Sequence, residues 1–153
     1  MSATNVPDSL PGWISDHLKR YLDSDGADGH MWDSGPVGGP GLLPTLLLTT
    51  TGRRSGKSII MPLIYGEADG NYVIIASKGG APKHPGWYLN LAANSAVEVQ
   101  VKADRFKAKA RTVTGDERAA LWKKMEFIYP PYNDYQAKTD REIPVVVLER
   151  VTG

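Results

Sequence analysis

The sequence predicts a mainly β domain with flanking helices, an α+β arrangement built around a small barrel. Three observations carry that expectation. Apolar, β-branched runs of strand length recur from Leu43 onward and are separated by short turn signals. Two of them, AVEVQVKAD and RFKAKARTVT, alternate and read as an antiparallel pair with one polar face. The helical stretches are few, and they do not alternate with strands as a parallel nucleotide-binding sheet would require.

Composition bounds the answer. A chain of 153 residues with 41% apolar and 23% charged residues reads as one globular domain with room for a core. A formal net charge of +1 argues against broad electrostatic capture of nucleic acid. The absence of cysteine excludes disulfides, thiolate metal sites and cysteine nucleophiles. His17, His30 and His84 lack ligand spacing, so no metal is expected. The start MSATNVPDSL lacks a signal-peptide pattern, and the apolar run GLLPTLLL is short and broken by Pro44. A cytoplasmic protein is expected.

DSLPGWISDHLKRYLDS reads as an amphipathic helix, capped by Asp8 or Ser9, with Leu10, Ile14, Leu18, Tyr21 and Leu22 near helical spacing. Packing on the domain is the favoured role. Peripheral contact with a membrane surface is the alternative, weakened by only two basic residues, Lys19 and Arg20, near its end. DGADGHMWDSGPVGGPG is a glycine- and proline-rich loop. The organisation expected is thus a helix and loop over residues 1–41 and a barrel over residues 42–153, forming a single domain.

LPTLLLTTT is a buried strand and GRRSGK a turn. SIIMPLIYGE is a second strand, in which Pro62 marks an edge or bulge. Asp69-Gly70 signals a hairpin into NYVIIASKGG, the third strand of a meander. KHPGWYLNLAANS is a short helix, with Pro85 in its first turn and Asn94 as its C-terminal cap. After the alternating pair comes the helix GDERAALWKKMEFIY, ended by Pro130-Pro131. YNDYQAKTD is a second short helix or turn, and IPVVVLERV is the last of six strands.

TTTGRRSGKS imitates a nucleotide-binding P-loop. That motif needs four residues between its glycines and a helix after its lysine. Here Gly52 and Gly56 flank only three residues, and SIIMPLIYG after Lys57 is a strand. The segment is therefore a hairpin turn. Arg53, Arg54, Ser55 and Lys57 can still hold an anion through charge-assisted hydrogen bonds, or they form a solvated tip of equal weight.

Two further stretches carry chemistry. In ASKGGAPKHPGWYLN, Ser77, Lys78 and the Gly79-Gly80 amides supply donors at a strand end, with Trp87 and Asn90 on one helix face. In IYPPYNDY, Tyr129, Tyr132 and Tyr135 recur every third residue around Pro130-Pro131. Core packing explains this spacing more readily than an aromatic ligand site does. No nucleophile–base pair or glycine-serine elbow is visible, so enzymatic chemistry would come from a bound cofactor.

LLLTTTGRRSGKSIIMPLIY, ASKGGAPKHPGWYLNLAANSAVEVQV and YPPYNDYQAKTDREIPVVVLE resemble the deazaflavin-dependent nitroreductase family of mycobacteria and related actinobacteria. The resemblance spans roughly residues 42–151. It implies a split β-barrel like the FMN-binding split barrel, and a reductase passing hydride from coenzyme F-420, an 8-hydroxy-5-deazaflavin, to quinones, nitroaromatics or activated enones. It implies that Arg53, Arg54, Ser55, Gly56 and Lys57 hold the cofactor phosphate and acidic tail. Ala76, Ser77, Lys78 and the Gly79-Gly80 bend would line the deazaflavin edge. Pro85, Trp87 and Asn90 would lie along the same cofactor, beside Leu47, Leu48, Thr49, Ser58, Pro62 and Ile75. Tyr129, Tyr132 and Tyr135 would line the acceptor pocket and, with Ser77, form the catalytic set.

Two departures stand out. The family tyrosine after proline-leucine is matched by Ile64, with Tyr65 one place later, and a family arginine is matched by Ile59. A one-residue step in a strand turns a side chain to the other face. Alternatives to the deazaflavin reductase are an FMN- or haem-binding split barrel, a non-enzymatic carrier of deazaflavin or lipid, and a binder of single-stranded nucleic acid. The partner expected is a small electron acceptor, and the chain is a monomer or homodimer.

Overall fold

The computed structural model describes residues 12–35 and 39–151. Its elements are α1 (Gly12–Asp23), β1 (Met31–Asp33), β2 (Leu42–Thr51), β3 (Ser58–Ile64), β4 (Gly66–Ala68), β5 (Asn71–Ile75), α2 (Gly86–Ala93), β6 (Ala96–Val101), β7 (Asp104–Val113), α3 (Gly115–Ile128), α4 (Pro131–Ala137) and β8 (Val145–Arg150). A single 3-10 turn covers Lys78–Gly80.

All strand pairings are antiparallel, in the order β1-β2-β6-β7-β8-β5-β4, with β3 on β2. β3 and β4 are joined through Tyr65. The sheet therefore curls until its two ends meet at one residue, with no ladder between β3 and β5 among the described residues. This is a split barrel.

The apolar runs explain the packing. Strands buried on both faces read as continuous hydrophobic segments rather than alternating ones. Leu46 and Leu48 of β2, Ile74 of β5 and Val146 and Leu148 of β8 fill the barrel interior. Val73, Ile75, Val145 and Val147 face outward, under Met125 of α3 and Tyr129 and Tyr132. Leu47 and Ile60 point the third way, beneath Leu18 and Tyr21 of α1.

Several expectations need correction. The strands number eight among the described residues, not six. The loop expected around residue 32 contains β1, which pairs with the start of β2, Met31 opposite Pro44. The expected second strand divides at Tyr65, so its first half pairs with β2 and its second with β5. The third strand of the expected meander gains β8 as its other neighbour. Pro85 lies one place before α2 with extended backbone, so its ring precedes the helix. The Asp8 or Ser9 cap lies outside the described residues.

Other readings match the coordinates. Asp69 and Gly70 both adopt positive φ, 54° and 80°, as a two-residue hairpin requires. Asn94 stands at the C-cap of α2 as expected, and Thr114 precedes α3 at its N-cap without a side-chain capping hydrogen bond. Pro62 sits in β3, whose outer edge has no strand partner among the described residues, where its missing N–H costs nothing. The N-terminal helix is built into the domain. The Tyr21 hydroxyl donates to the Thr45 carbonyl at 3.0 Å and accepts from the Lys102 amide at 2.8 Å. With Leu18 and Tyr21 buried on the sheet, the apolar face of α1 is spent on packing. No helix among the described residues is long and apolar enough to cross a membrane.

Candidate active site

A cavity of about 940 Å³ lies along β3, where the barrel is split. Ile59, Met61, Pro62, Leu63 and Ile64 form one wall. Consecutive residues can line it because the strand's outer edge is unpaired. Arg53, Arg54 and Ser55 stand at the end made by the β2–β3 turn. Ile75, Ser77, Lys78, Pro85, Trp87 and Asn90 contribute from β5 and α2. Tyr129, Tyr132 and Tyr135 complete it, while Ile14, His17 and Trp32 border it from the N-terminal segment.

The turn is a hairpin, as its sequence required. The Gly52 amide donates to the Lys57 carbonyl at 2.8 Å, and strand β3 follows directly. Asn90 fixes the turn's orientation. Its Oδ1 accepts from the Arg53 backbone N–H at 3.2 Å and from the Arg53 guanidinium at 3.0 Å. Its Nδ2 donates to the buried Thr50 hydroxyl at 3.2 Å. The amide expected to face the cofactor is thus engaged in aiming an arginine at the cavity.

Charge is distributed unevenly. Arg105, Arg111, Arg118 and Arg150 each pair with a carboxylate. Among the described residues Arg53, Arg54 and Lys78 have no carboxylate partner, so the cavity carries uncompensated positive charge. The heads of Arg54 and Lys78 are exposed, and the Arg53 guanidinium, held by Asn90 through one terminal nitrogen, keeps other N–H groups for an anion.

The tyrosines differ from one another. The Tyr129 and Tyr135 hydroxyls are 2.8 Å apart, so one donates to the other. The Tyr132 ring is only 4% exposed and packs edge-on against Tyr129, with centroids 4.8 Å apart. Its hydroxyl has no hydrogen-bond partner among the described residues. Burial pushes the Tyr132 phenol well above the ordinary tyrosine range, and the neighbouring phenols push it in the same direction. Burial first, and then the bond to Tyr135, raises Tyr129 as well. Both remain protonated donors at neutral pH. The sequence spacing alone favoured core packing, and the structure gives the rings both roles: they pack in the outer core and line the cavity.

Not every expected residue lines the cavity. Leu48 is sealed inside the barrel and Leu47 lies under α1, because adjacent strand residues take opposite faces. Thr49 and Ser58 border a separate shallow depression with Glu98 and Lys107. Gly56 and Lys57 form the exposed outer tip of the turn, away from the lining. Ala76 is fully buried and is not on the lining, and Gly79 sits within the 3-10 turn. The Ile64 departure has the geometric consequence of a one-residue step. Ile64 faces the cavity, while Tyr65 turns inward, its hydroxyl 2.8 Å from His30 Nε2.

Sequence reasoning missed Arg141. From the connection before β8 it donates to the carbonyls of Ala76, Ser77 and Ala81 and to His84 Nδ1. The signal was faint: one arginine in the polar segment ahead of an apolar strand. His17, Trp32 and Ile14 were also unforeseen, because nothing in their spacing ties α1 and β1 to a turn forty residues away.

The comparisons with known proteins agree with this geometry. A family model described as "F420H(2)-dependent quinone reductase" matches residues 13–150. A Mycobacterium tuberculosis protein of that name is 44% identical over 137 residues, covering 88% of this chain and 87% of its own length. A solved structure titled as an F420-H2 dependent reductase, FDR-A, is 48% identical with a TM-score of 0.65, over 69% of this chain and 94% of that one. Another, described as a domain-swapped dimer, is 42% identical with a TM-score of 0.68, over 90% and 97% of the two chains. HutZ, a haem storage protein of Vibrio cholerae, shares the fold alone, at 16% identity and a TM-score of 0.55 over 71% and 82%. With its model matched over nearly the whole length, the chain belongs to the F420H(2)-dependent quinone reductase family.

Proposed function

We propose that the protein transfers a hydride from reduced coenzyme F-420 to a quinone, with nitroaromatics and activated enones as further acceptors. The observation that carries this reading is the joining, in one cavity, of carboxylate-free cations at one end and protonated phenols at the other, along an apolar strand.

The donor set fits the cofactor. Its phosphate and acidic tail require cations not already neutralised, and Arg53 and Arg54 meet that requirement. Its flat ring requires an apolar wall with a few polar groups at the edge. Met61, Leu63, Ile64 and Trp87 supply the wall, and Ser77 and Lys78 the edge. When bound, the deazaflavin supplies the hydride chemistry. The protein does the rest. Asn90 holds Arg53 towards the tail. The apolar residues of β3 line the wall against which the rings would lie. Reducing a quinone also takes a proton to its oxygen. Tyr132 Oη holds that proton at neutral pH and is not committed to another group. The Tyr129–Tyr135 pair is a second donor, polarised by its internal hydrogen bond.

The test is direct. Purified protein should quench the fluorescence of coenzyme F-420 and oxidise its reduced form when a soluble quinone is added. Tight binding of FMN or haem with no response to the deazaflavin would sink this reading. A homodimer is the oligomeric state we propose, since a relative of this length is described as a domain-swapped dimer. Light scattering on the purified chain decides that point.

A further inference from the structure

We propose that Arg141 is a positioning residue that fixes the Ser77–Lys78 bend against the tyrosine helix, and so sets donor and acceptor facing each other across the cavity. This rests on the deazaflavin reading for its functional consequence, but not for its structural one.

The need for such a residue follows from where β5 stops. The strand ends at Ile75, so the carbonyls beyond it have no ladder partner. Arg141 takes up three of them. Its Nε donates to the Ala81 carbonyl at 2.7 Å, one terminal nitrogen to the Ser77 carbonyl at 2.6 Å, and the other to the Ala76 carbonyl at 3.2 Å. That last nitrogen also donates to His84 Nδ1 at 2.9 Å. One planar fork thus spans both limbs of the bend, which a lysine's single ammonium cannot do. No carboxylate pairs with Arg141 among the described residues, so its work is done entirely on neutral acceptors.

The opposite side of the bend is closed by Gly80. Its φ is +83°, and an added Cβ would lie 2.6 Å from the Tyr135 carbonyl oxygen and 2.9 Å from the Tyr135 Cα. The bend is therefore pressed on α4 at the residue that carries one of the cavity phenols. Within it, the Gly80 amide donates to the Ser77 carbonyl at 2.9 Å, so that oxygen serves both Gly80 and Arg141. Arginine on one side and glycine on the other leave the bend no independent movement. Lys78 holds a positive φ of 46°, a strained conformation that persists only when its surroundings impose it. The residues of the bend that line the cavity are Ser77 and Lys78; Arg141 and His84 do not. Arg141 acts through them.

The experiment compares Arg141→Lys and His84→Ala with wild type. Amide hydrogen exchange at Gly80 and Ala81 is read first, in cofactor-free protein. Both amides are bonded within the bend, to the Ser77 and Lys78 carbonyls. Exchange there should quicken about tenfold or more in Arg141→Lys, and less in His84→Ala, which loses one of the four contacts. Coenzyme F-420 affinity and kcat with a small quinone should then fall together in Arg141→Lys, kcat by roughly tenfold or more, as expected when reacting groups lose their alignment. KM for the quinone should stay within about threefold, since the tyrosines remain. His84→Ala should show the same pattern, weakened. Unchanged exchange in a folded Arg141→Lys protein overturns the proposal whatever the activity. Faster exchange with wild-type affinity and kcat also overturns it, leaving Arg141 as a stabilising clamp only. A wild-type protein that neither binds nor oxidises the deazaflavin refutes the function instead, and the exchange data still judge the clamp.

Discussion

Asn90 offers the sharpest separation of folding from binding. It is 4% exposed, and its amide makes three hydrogen bonds: two to Arg53 and one to Thr50. Asn90→Leu keeps much of the volume and removes all three. Thr50 is only 1% exposed, so its hydroxyl loses a partner where water cannot replace it, a cost of about 1–3 kcal/mol. The Arg53 guanidinium is exposed and can turn to solvent, and the Arg53 backbone N–H is only part-buried, so the two bonds add about 1 kcal/mol. The total, about 2–4 kcal/mol, corresponds to a fall in Tm of about 5–15 °C for a chain of this size. Cofactor affinity should fall as well, because Arg53 is no longer aimed at the cavity. Asn90→Asp separates the two effects. It keeps both acceptor positions, and Thr50 can donate in place of the amide, so stability should change little. Its charge neutralises Arg53, so the acidic tail should bind roughly tenfold more weakly or worse. Differential scanning fluorimetry and fluorescence titration with coenzyme F-420 measure the pair. If Asn90→Asp binds like wild type, Arg53 does not serve the tail. If Asn90→Leu melts like wild type, the amide does not hold the turn.

Other expectations follow from the same geometry. Arg54→Ala should weaken cofactor binding by roughly 1–3 kcal/mol, and Lys57→Ala by less, since Lys57 lies off the cavity lining; titration at two salt concentrations checks both. Tyr132→Phe should lower kcat about tenfold or more with little change in Tm, because the ring still fills its site and only the unpartnered hydroxyl is lost; steady-state assays with saturating reduced cofactor decide it. Stability should decline as pH rises from about 10 to about 12. Burial holds Tyr65 neutral up to about 12 in the folded state, so its contribution is full below the unfolded value and is lost through that window. Melting curves of wild type and Tyr65→Phe across this range test the sign, with a shallower decline expected in the variant.

Much of the barrel was legible because its strands announce themselves by composition and its turns by chemistry. Asp69-Gly70, Thr114 and Pro130-Pro131 act through local backbone rules that need no tertiary knowledge. What was not legible depends on contacts distant in sequence. β1 is three residues long and gains its form only by pairing with β2. The break at Tyr65 is invisible in an unbroken strand pattern, since it is set by the curl that brings the sheet's ends together. The same holds at the site. Arg53, Ser77 and the tyrosines could be picked out as chemistry-bearing, and the family resemblance placed them on one ligand. Their mutual position rests on Asn90, Gly80 and Arg141, whose partners lie between 37 and 65 residues away or across an unrelated element. Leu48, which the family resemblance set beside the cofactor, lies in the barrel core, where strand alternation puts it.

A net charge of +1 argues against broad capture of nucleic acid, yet the charge that matters at the cavity is the part left unneutralised. Arg105 with Asp25, Arg111 with Glu117 and Glu149, and Arg150 with Asp104 cancel one another on exposed surface away from the cavity. Such exposed pairs contribute little to stability. Their larger effect is on the field. By pairing cations with carboxylates elsewhere, the chain leaves Arg53, Arg54 and Lys78 around the cavity as positive groups without local opposition. The positive potential is therefore focused at the cavity, where the proposed cofactor's acidic tail would enter, while the chain as a whole stays close to neutral. The phenol end needs the opposite environment. Tyr129 and Tyr132 are shielded by burial, with no carboxylate among the groups that shift them, so both keep their protons at neutral pH. On the proposed function, the cavity divides into a cationic end for the donor's acidic tail and a protonated phenol end for the acceptor, with the apolar residues of β3 lining the wall between them.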